Sequence, residues 1–154
     1  MNTKKLRFSY IPETRLAGMS YPEMLRPADS VISYLKMQDI STLVNLTTSD
    51  YSSPDYHSAF DVIWEQVANM AAPSIEQVDR IYTAYCNLTS DEGMAIHCMH
   101  GLGRTGTVIA CLLGRKRGMM AEEIIYEVRK ARPGSIESKE QEAFIEFYLT
   151  QYSP

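Results

Sequence analysis

The sequence predicts an α/β sandwich: a mainly parallel central sheet of about five strands flanked by helices. Three observations carry this. Residues 42–47 (Thr-Leu-Val-Asn-Leu-Thr) and 94–98 (Met-Ala-Ile-His-Cys) are short apolar or β-branched runs of the kind that form buried strands. Helix-starting and helix-stopping residues stand between and after them, as at Ser74 and Gly118. Strand and helix patterns also alternate, which is the order a parallel sheet with helical crossovers requires.

Taken in chain order, residues 7–11 and 15–18 read as short strands near an edge. A helix follows over about 27–38, then the strand 42–47. Residues 59–67 partly alternate apolar with polar and read as a further strand. Ser74-Ile-Glu-Gln77 fits a capping box, opening a helix with Val78, Ile81, Tyr82 and Tyr85 on one face. Asp91-Glu92-Gly93 turns the chain into the strand 94–98. Three helices complete the chain: 103–116, stopped by Gly118; 121–131, closed by Pro133-Gly134; and 139 to about 151.

All 154 residues read as one domain. Such a length buries roughly 70% of the surface its unfolded chain exposes, enough for a real core. A net charge of −4 argues against a general nucleic-acid or anionic-membrane binder. The first residues hold two lysines with no apolar stretch behind them, and no run approaches the ~18 apolar residues of a membrane span. Cys86, Cys98 and Cys111 make an odd count without framework spacing, which points to reduced thiols in a cytoplasm. A monomer is expected.

The chemistry concentrates in His97-Cys98-Met99-His100-Gly101-Leu102-Gly103-Arg104-Thr105-Gly106. A metal site would need a second ligand cluster, and strand alternation would point His97 and Cys98 to opposite faces. A nucleotide loop of the GxxxxGK[ST] kind needs a lysine that this run lacks. A nucleophilic cysteine in an anion cradle uses every part. Gly101, Gly103 and Gly106 let successive amides face one point, and the helix starting near Gly103 adds its positive end. Arg104 offers a planar fork for two phosphoryl oxygens. The same field should hold the Cys98 thiol well below its usual value of about 8.5, and Thr105 can donate its hydroxyl to the sulfur. Met99, His100, Gly101, Leu102, Gly103 and Arg104 are the expected phosphate-binding residues; no cofactor or metal is implied.

His97-Cys98, five residues, then Arg104-Thr105 is the HCx5R[ST] motif, and the chain resembles the cysteine-dependent protein tyrosine phosphatases. Within them it is similar to the compact atypical dual-specificity phosphatases, also at Arg15-Leu-Ala-Gly18, at residues 42–47 and at Arg132-Pro-Gly-Ser-Ile-Glu137. The resemblance implies their α/β fold and a double displacement on phosphoproteins. Cys98 attacks phosphorus, a phosphocysteine forms, and water releases phosphate. It implies that His97 lies behind the loop and orders it, with Met99 and Leu102 on the loop's outer side. His100 is read either as a part-time positive charge near the anion or as a loop residue at the pocket rim. No added tyrosine-recognition segment is evident, so a shallow site for phosphotyrosine, and more slowly phosphoserine and phosphothreonine, is expected.

The chain departs from the family where an aspartate should protonate the leaving oxygen: that position holds Asn69. Three explanations stand open. Asn69 replaces an Asp as a substrate-trapping substitution; Glu65 or Asp61 serves as the acid; or the substrate needs none. The last describes a phosphoanhydride, and Cys98-Met-His-Gly101 also resembles RNA 5′-triphosphatases. A phosphate-binding pseudophosphatase is a further alternative. A phosphoinositide substrate is disfavoured, because such enzymes place lysines where Met99, His100 and Leu102 stand. Glu137, on a loop between two helices, is a candidate to orient or activate the hydrolytic water, or else a first-turn charge of the last helix. Arg129 and Arg132 are read as a solvated helix face before a loop-supporting pair. Cys111 is expected behind the loop, and a Cys86–Cys98 disulfide is not expected.

Overall fold

Alternation along the strands decides the layering. In the computed structural model, which describes residues 1–152, Ala17, Leu43 and Ala95 stand side by side and face one core. Their neighbours Leu16, Val44 and Ile96 face a second core across the sheet. The expected single domain ends at Pro154, and its last two residues lie outside the described ones.

The sheet has five strands in the order β1-β2-β5-β3-β4. They are β1 (Ser9–Tyr10), β2 (Leu16–Met19), β3 (Ile40–Asn45), β4 (Asp61–Trp64) and β5 (Gly93–His97). Among the described residues only the β1–β2 pair is antiparallel; the other three pairings are parallel. The mainly parallel sheet expected from the sequence is therefore present. Helices α1 (Ala28–Met37) and α2 (Asp55–Ala59) cover one face, contributing Val31, Leu35 and Tyr56 to its core. Helices α3 (Ile75–Cys86), α4 (Gly103–Arg117), α5 (Ala121–Ala131) and α6 (Lys139–Thr150) cover the other. Helix α4 is buried from Gly103 through Gly114, so it is the central post of that layer. No helix among the described residues is long and apolar enough to cross a membrane.

Helix boundaries follow local chemistry. Ser74 and Gln77 form the expected capping box of α3, and Gly118 ends α4 in the left-handed conformation at φ 66°. Two strand readings are corrected. Residues 59–67 are not one strand: Ala59 ends α2, β4 stops at Trp64, and only Glu65 and Val67 continue as amide donors to Asn45 and Leu46. β4 lies at the sheet edge, bonded on one side only, so its alternation is loosely enforced. Residues 7–11 are shortened to β1, because Asn2 caps a 3₁₀ turn over Thr3–Leu6 and Arg7 leaves it at φ 50°.

The parallel strands β3 and β5 both end at one edge of the sheet. Cys98 follows β5 directly, and the next turn runs into α4. Ligand sites of open α/β sheets form at such strand ends.

Candidate active site

Loop residues 98–103 are held from behind. Gly101 sits at φ 77°, and a Cβ there would stand 2.5 Å from the Met19 carbonyl oxygen. Both facts demand glycine. Gly101→Ala should therefore lower stability by about 1–3 kcal/mol and abolish most turnover, because the β2 backbone cannot yield; urea denaturation and aryl phosphate hydrolysis check the two effects. Leu102 accepts hydrogen bonds through its carbonyl from Gly106 N (2.9 Å) and Ile136 N (3.1 Å), tying the loop to α4 and to the segment before α6.

Arg132 takes the second of the two roles the sequence offered it, support of the loop. Instead of a solvated helix face, its side chain is almost wholly buried at 5% exposure. It donates to Gly101 O (2.8 Å), Gly18 O (3.0 Å), Arg7 O (2.9 Å) and Ser9 Oγ (2.7 Å). Burial pushes its pKa down to about 10, so it remains charged at neutral pH. Arg129 is likewise engaged, donating to Ser135 O and Ile136 O and pairing with Glu142. The signal available was Arg132 standing directly before Pro133-Gly134; its partners lie up to 125 residues away.

His97 is fully buried at the end of β5. Its Nδ1 faces Cys98 O at 3.2 Å and its Nε2 faces the Tyr51 hydroxyl at 2.6 Å. A carbonyl only accepts, so Nδ1 carries the proton and Tyr51 donates to Nε2. Burial is the main cause that pushes the His97 pKa down to about 4, with Arg104 adding to it. Below pH 6.5 the unfolded chain binds a proton here that the fold does not. Stability should thus fall as pH drops from about 6.5 towards 4, by up to about 3 kcal/mol from this group. Urea midpoints at pH 7 and pH 5 measure it, and a His97→Asn variant should lose that pH dependence.

Cys98 is 3% exposed. Burial alone would push its thiol up, yet the net shift is downward. The hydroxyl and amide of Thr105, the amide of Gly101 and the charge of Arg104 together outweigh desolvation. The Thr105 hydroxyl donates to the sulfur at 3.1 Å. Arg104 is 7% exposed and donates through Nη1 to Val67 O at 2.9 Å. Its Nε is buried with no partner among the described residues. Met99 and His100 are exposed on the outer turn and Leu102 is half-buried. Cys111 is fully buried in α4, where desolvation raises its thiol pKa, and all three cysteines are free. Among the described residues no group of three His, Cys, Asp or Glu is placed to hold a metal ion.

The loop that enters the site after β4 is laced down at four carbonyls. Gln77 donates to Gln66 O, Arg104 to Val67 O, Ser138 to Met70 O and Gln141 to Ala71 O. Asn69 is exposed on this loop, next to Met70 at φ 66°. Neither substitute carboxylate stands with it. Asp61 begins β4, in register with Thr42, which is itself in register with Met94, the far end of the sheet from Cys98. Glu65 is bound through both oxygens by Arg80, at 2.7 and 2.8 Å. Glu137 is exposed, yet its carboxylate reaches the start of α4: a Cβ on Gly103 would stand 2.4 Å from its Oε1. Gln141, which the sequence reading missed, is fully buried and accepts from Glu137 N (2.7 Å) and Ser138 N (3.2 Å). Its signal was a second capping box, Ser138 to Gln141.

The family model described as "Polymorphic toxin system, DSP-PTPase phosphatase" (Tc-R-P) matches residues 17–117, from β2 through α4. The chain belongs to this family. It is thus a small dual-specificity-type member of the cysteine-dependent protein tyrosine phosphatases. Tyrosine-protein phosphatase cdc-14 of Caenorhabditis elegans is 33% identical over 119 residues, covering 77% of this chain and 16% of that protein. Dual specificity protein phosphatase CDC14C of Homo sapiens is 31% identical over 118 residues, covering 76% of this chain and 26% of that protein. The chain therefore spans about a quarter or less of these curated relatives. Tk-PTP in its active form superposes with a TM-score of 0.77 at 28% identity, covering 94% of this chain and 96% of that one. Kinase associated phosphatase, at 21% identity and a TM-score of 0.76, shares the fold over 89% of this chain and 86% of that one.

Proposed function

We propose that this phosphatase domain hydrolyses phosphotyrosine, and more slowly phosphoserine and phosphothreonine, through a phosphocysteine on Cys98. The observation that carries the reading is the surroundings of that sulfur. A buried thiol with a depressed pKa accepts a hydrogen bond from Thr105 at 3.1 Å, beside a buried guanidinium whose Nε has no partner among the described residues. A phosphoryl oxygen supplies the acceptor that Nε needs. The loop amides and the start of α4 take the remaining oxygens.

In the first step the sulfur attacks phosphorus and the ester oxygen departs. In the second, water attacks, Glu137 accepts its proton, and the sulfur leaves as a thiolate steadied by Thr105. The segment that carries Glu137 is set by Gln141, whose Oε1 holds the Glu137 amide. We assign the exposed Asn69 side chain to hydrogen-bond the leaving oxygen, though an amide cannot surrender a proton to it. Free thiols suit a reducing compartment, and we place the domain in the cytoplasm as a monomer.

Initial rates on phosphotyrosine, phosphoserine and 5′-triphosphate RNA test the reading. Phosphotyrosine should turn over fastest. Triphosphate cleavage outpacing it would assign the chain to phosphoanhydrides, and tungstate binding without any turnover would make it a pseudophosphatase.

A further inference from the structure

We propose that the groove between α5 and α6 is a docking site for a basic amphipathic helix of a partner protein. The groove is separate from the Cys98 site, so the inference goes beyond the hydrolytic reading and does not depend on it. The family model's match ends at residue 117, before either helix begins.

The groove follows from how the two helices rest on α4. A Cβ on Gly114 would meet Leu149 Cδ1 at 2.7 Å and Ile124 Cγ2 at 3.3 Å, so both helices are seated on that glycine. They run antiparallel. Arg129 pairs with Glu142 towards one end, and Ala121 and Thr150 line the groove at the other. The small side chains of Ala121 and Ala143 leave the valley between the helices open, with a volume of about 780 Å³. Ile125 and Leu149 give it an apolar lining, and Met120 and Tyr126 stand on its lip at 72% and 64% exposure. Large apolar side chains gathered in this way at a surface groove mark a binding site. A valley between two antiparallel helices is shaped for a third, whose ridge of side chains lies in it. Residues 122 to 129 span roughly 10 Å of helix axis, the reach of anchors at i, i+4 and i+7.

Charge decides what the partner carries. Helices α5 and α6 hold six glutamates against three basic residues, so three of the chain's four excess negative charges lie there. Glu122 and Glu146 flank the half of the groove nearer Ala121 and Thr150. No cation among the described residues stands within ion-pair distance of either. Of the two cations that line the groove, Arg129 is engaged by Glu142 and by the carbonyls of Ser135 and Ile136, and Lys139 stands at the opposite end. A helix with Lys or Arg over Glu122 and Glu146 complements this field. A second copy of this chain would bring the same six glutamates against it, and an anionic membrane would be repelled.

The probe is a labelled peptide of about 14 residues built from leucine, alanine and lysine, with leucines at i, i+4 and i+7 flanked by lysines. It is compared by fluorescence anisotropy with a twin in which glutamate replaces lysine. At low salt the lysine peptide should bind about 10-fold more tightly or better, since attraction of one and repulsion of the other both contribute. The preference should shrink at about 0.5 M salt. Reversing both charges, Glu122→Lys with Glu146→Lys, should invert it. Ala143→Gln, at an exposed position, fills the groove without changing its charge and should weaken the lysine peptide about 10-fold. Hydrolysis of an aryl phosphate should be unchanged in every variant, which shows that each one folds. Equal binding of the two peptides, or a lysine-peptide affinity untouched by Ala143→Gln, would overturn the proposal. So would self-association in sedimentation that Ala143→Gln abolishes, because a second copy would then hold the groove.

Discussion

Cys98→Ser lowers hydrolysis of phosphotyrosine by about 10⁴-fold or more while leaving the fold and oxyanion binding in place. The oxygen is smaller than the sulfur it replaces, so the buried pocket between Thr105 and the Gly101 amide accepts it without a clash. What is lost is ionisation. The Thr105 hydroxyl, two amides and Arg104 bring a thiol below its ordinary range despite burial, but a hydroxyl starts too far above it for the same donors to ionise at neutral pH. Steady-state kinetics and tungstate calorimetry on the same preparation separate the two consequences. Weakened tungstate binding would mean that Cys98 shapes the loop rather than attacks phosphorus.

Arg104→Lys should be nearly as damaging, with a loss of about 10²–10³ in kcat/KM although the charge is kept. The guanidinium does two tasks. Nη1 fixes Val67 O, which sets the entrance of the Asn69 loop, and Nε is left for a phosphoryl oxygen. An ammonium is a point donor and cannot span both positions. The loss should appear in both KM and kcat, because the loop that carries Asn69 moves when Val67 is released. A variant with near-normal kcat and raised KM would limit Arg104 to ground-state binding.

Much of this was legible before any coordinates. The runs 42–47 and 94–98 overlap the central strands β3 (Ile40–Asn45) and β5 (Gly93–His97), which are buried on both faces and tolerate no register slip, so their composition declared them. The contact of Thr105 with the Cys98 sulfur was legible because the loop is local: the two stand only seven positions apart. The region 59–67 was misread because an edge strand is held on one side only, and alternation there is weak.

Long-range partners were not legible at all. Arg132 read first as a solvated helix charge and only second as loop support, and its hydrogen bonds to Gly18 and Gly101 decide for the buttress. Tyr51 lies in a loop 46 residues before the histidine it orders. Gln141 wears the disguise of a capping residue, which it also is; its second role depends on Ala71 arriving from another segment. The question of the missing acid was open for the same reason. Asp61 and Glu65, the two substitutes offered for it, are both plain carboxylates in the sequence, and only the structure shows one at the far end of the sheet and the other bound by Arg80.

The most direct test of the central claim is to catch the phosphorylated protein itself. The Glu137→Gln variant, mixed with an activated aryl phosphate and acid-quenched within one turnover, should gain the mass of one phosphoryl group, mapped by proteolysis to Cys98 and absent when Cys98 is serine. Phenol release that proceeds at the same rate with no phosphoryl group on Cys98 would contradict it.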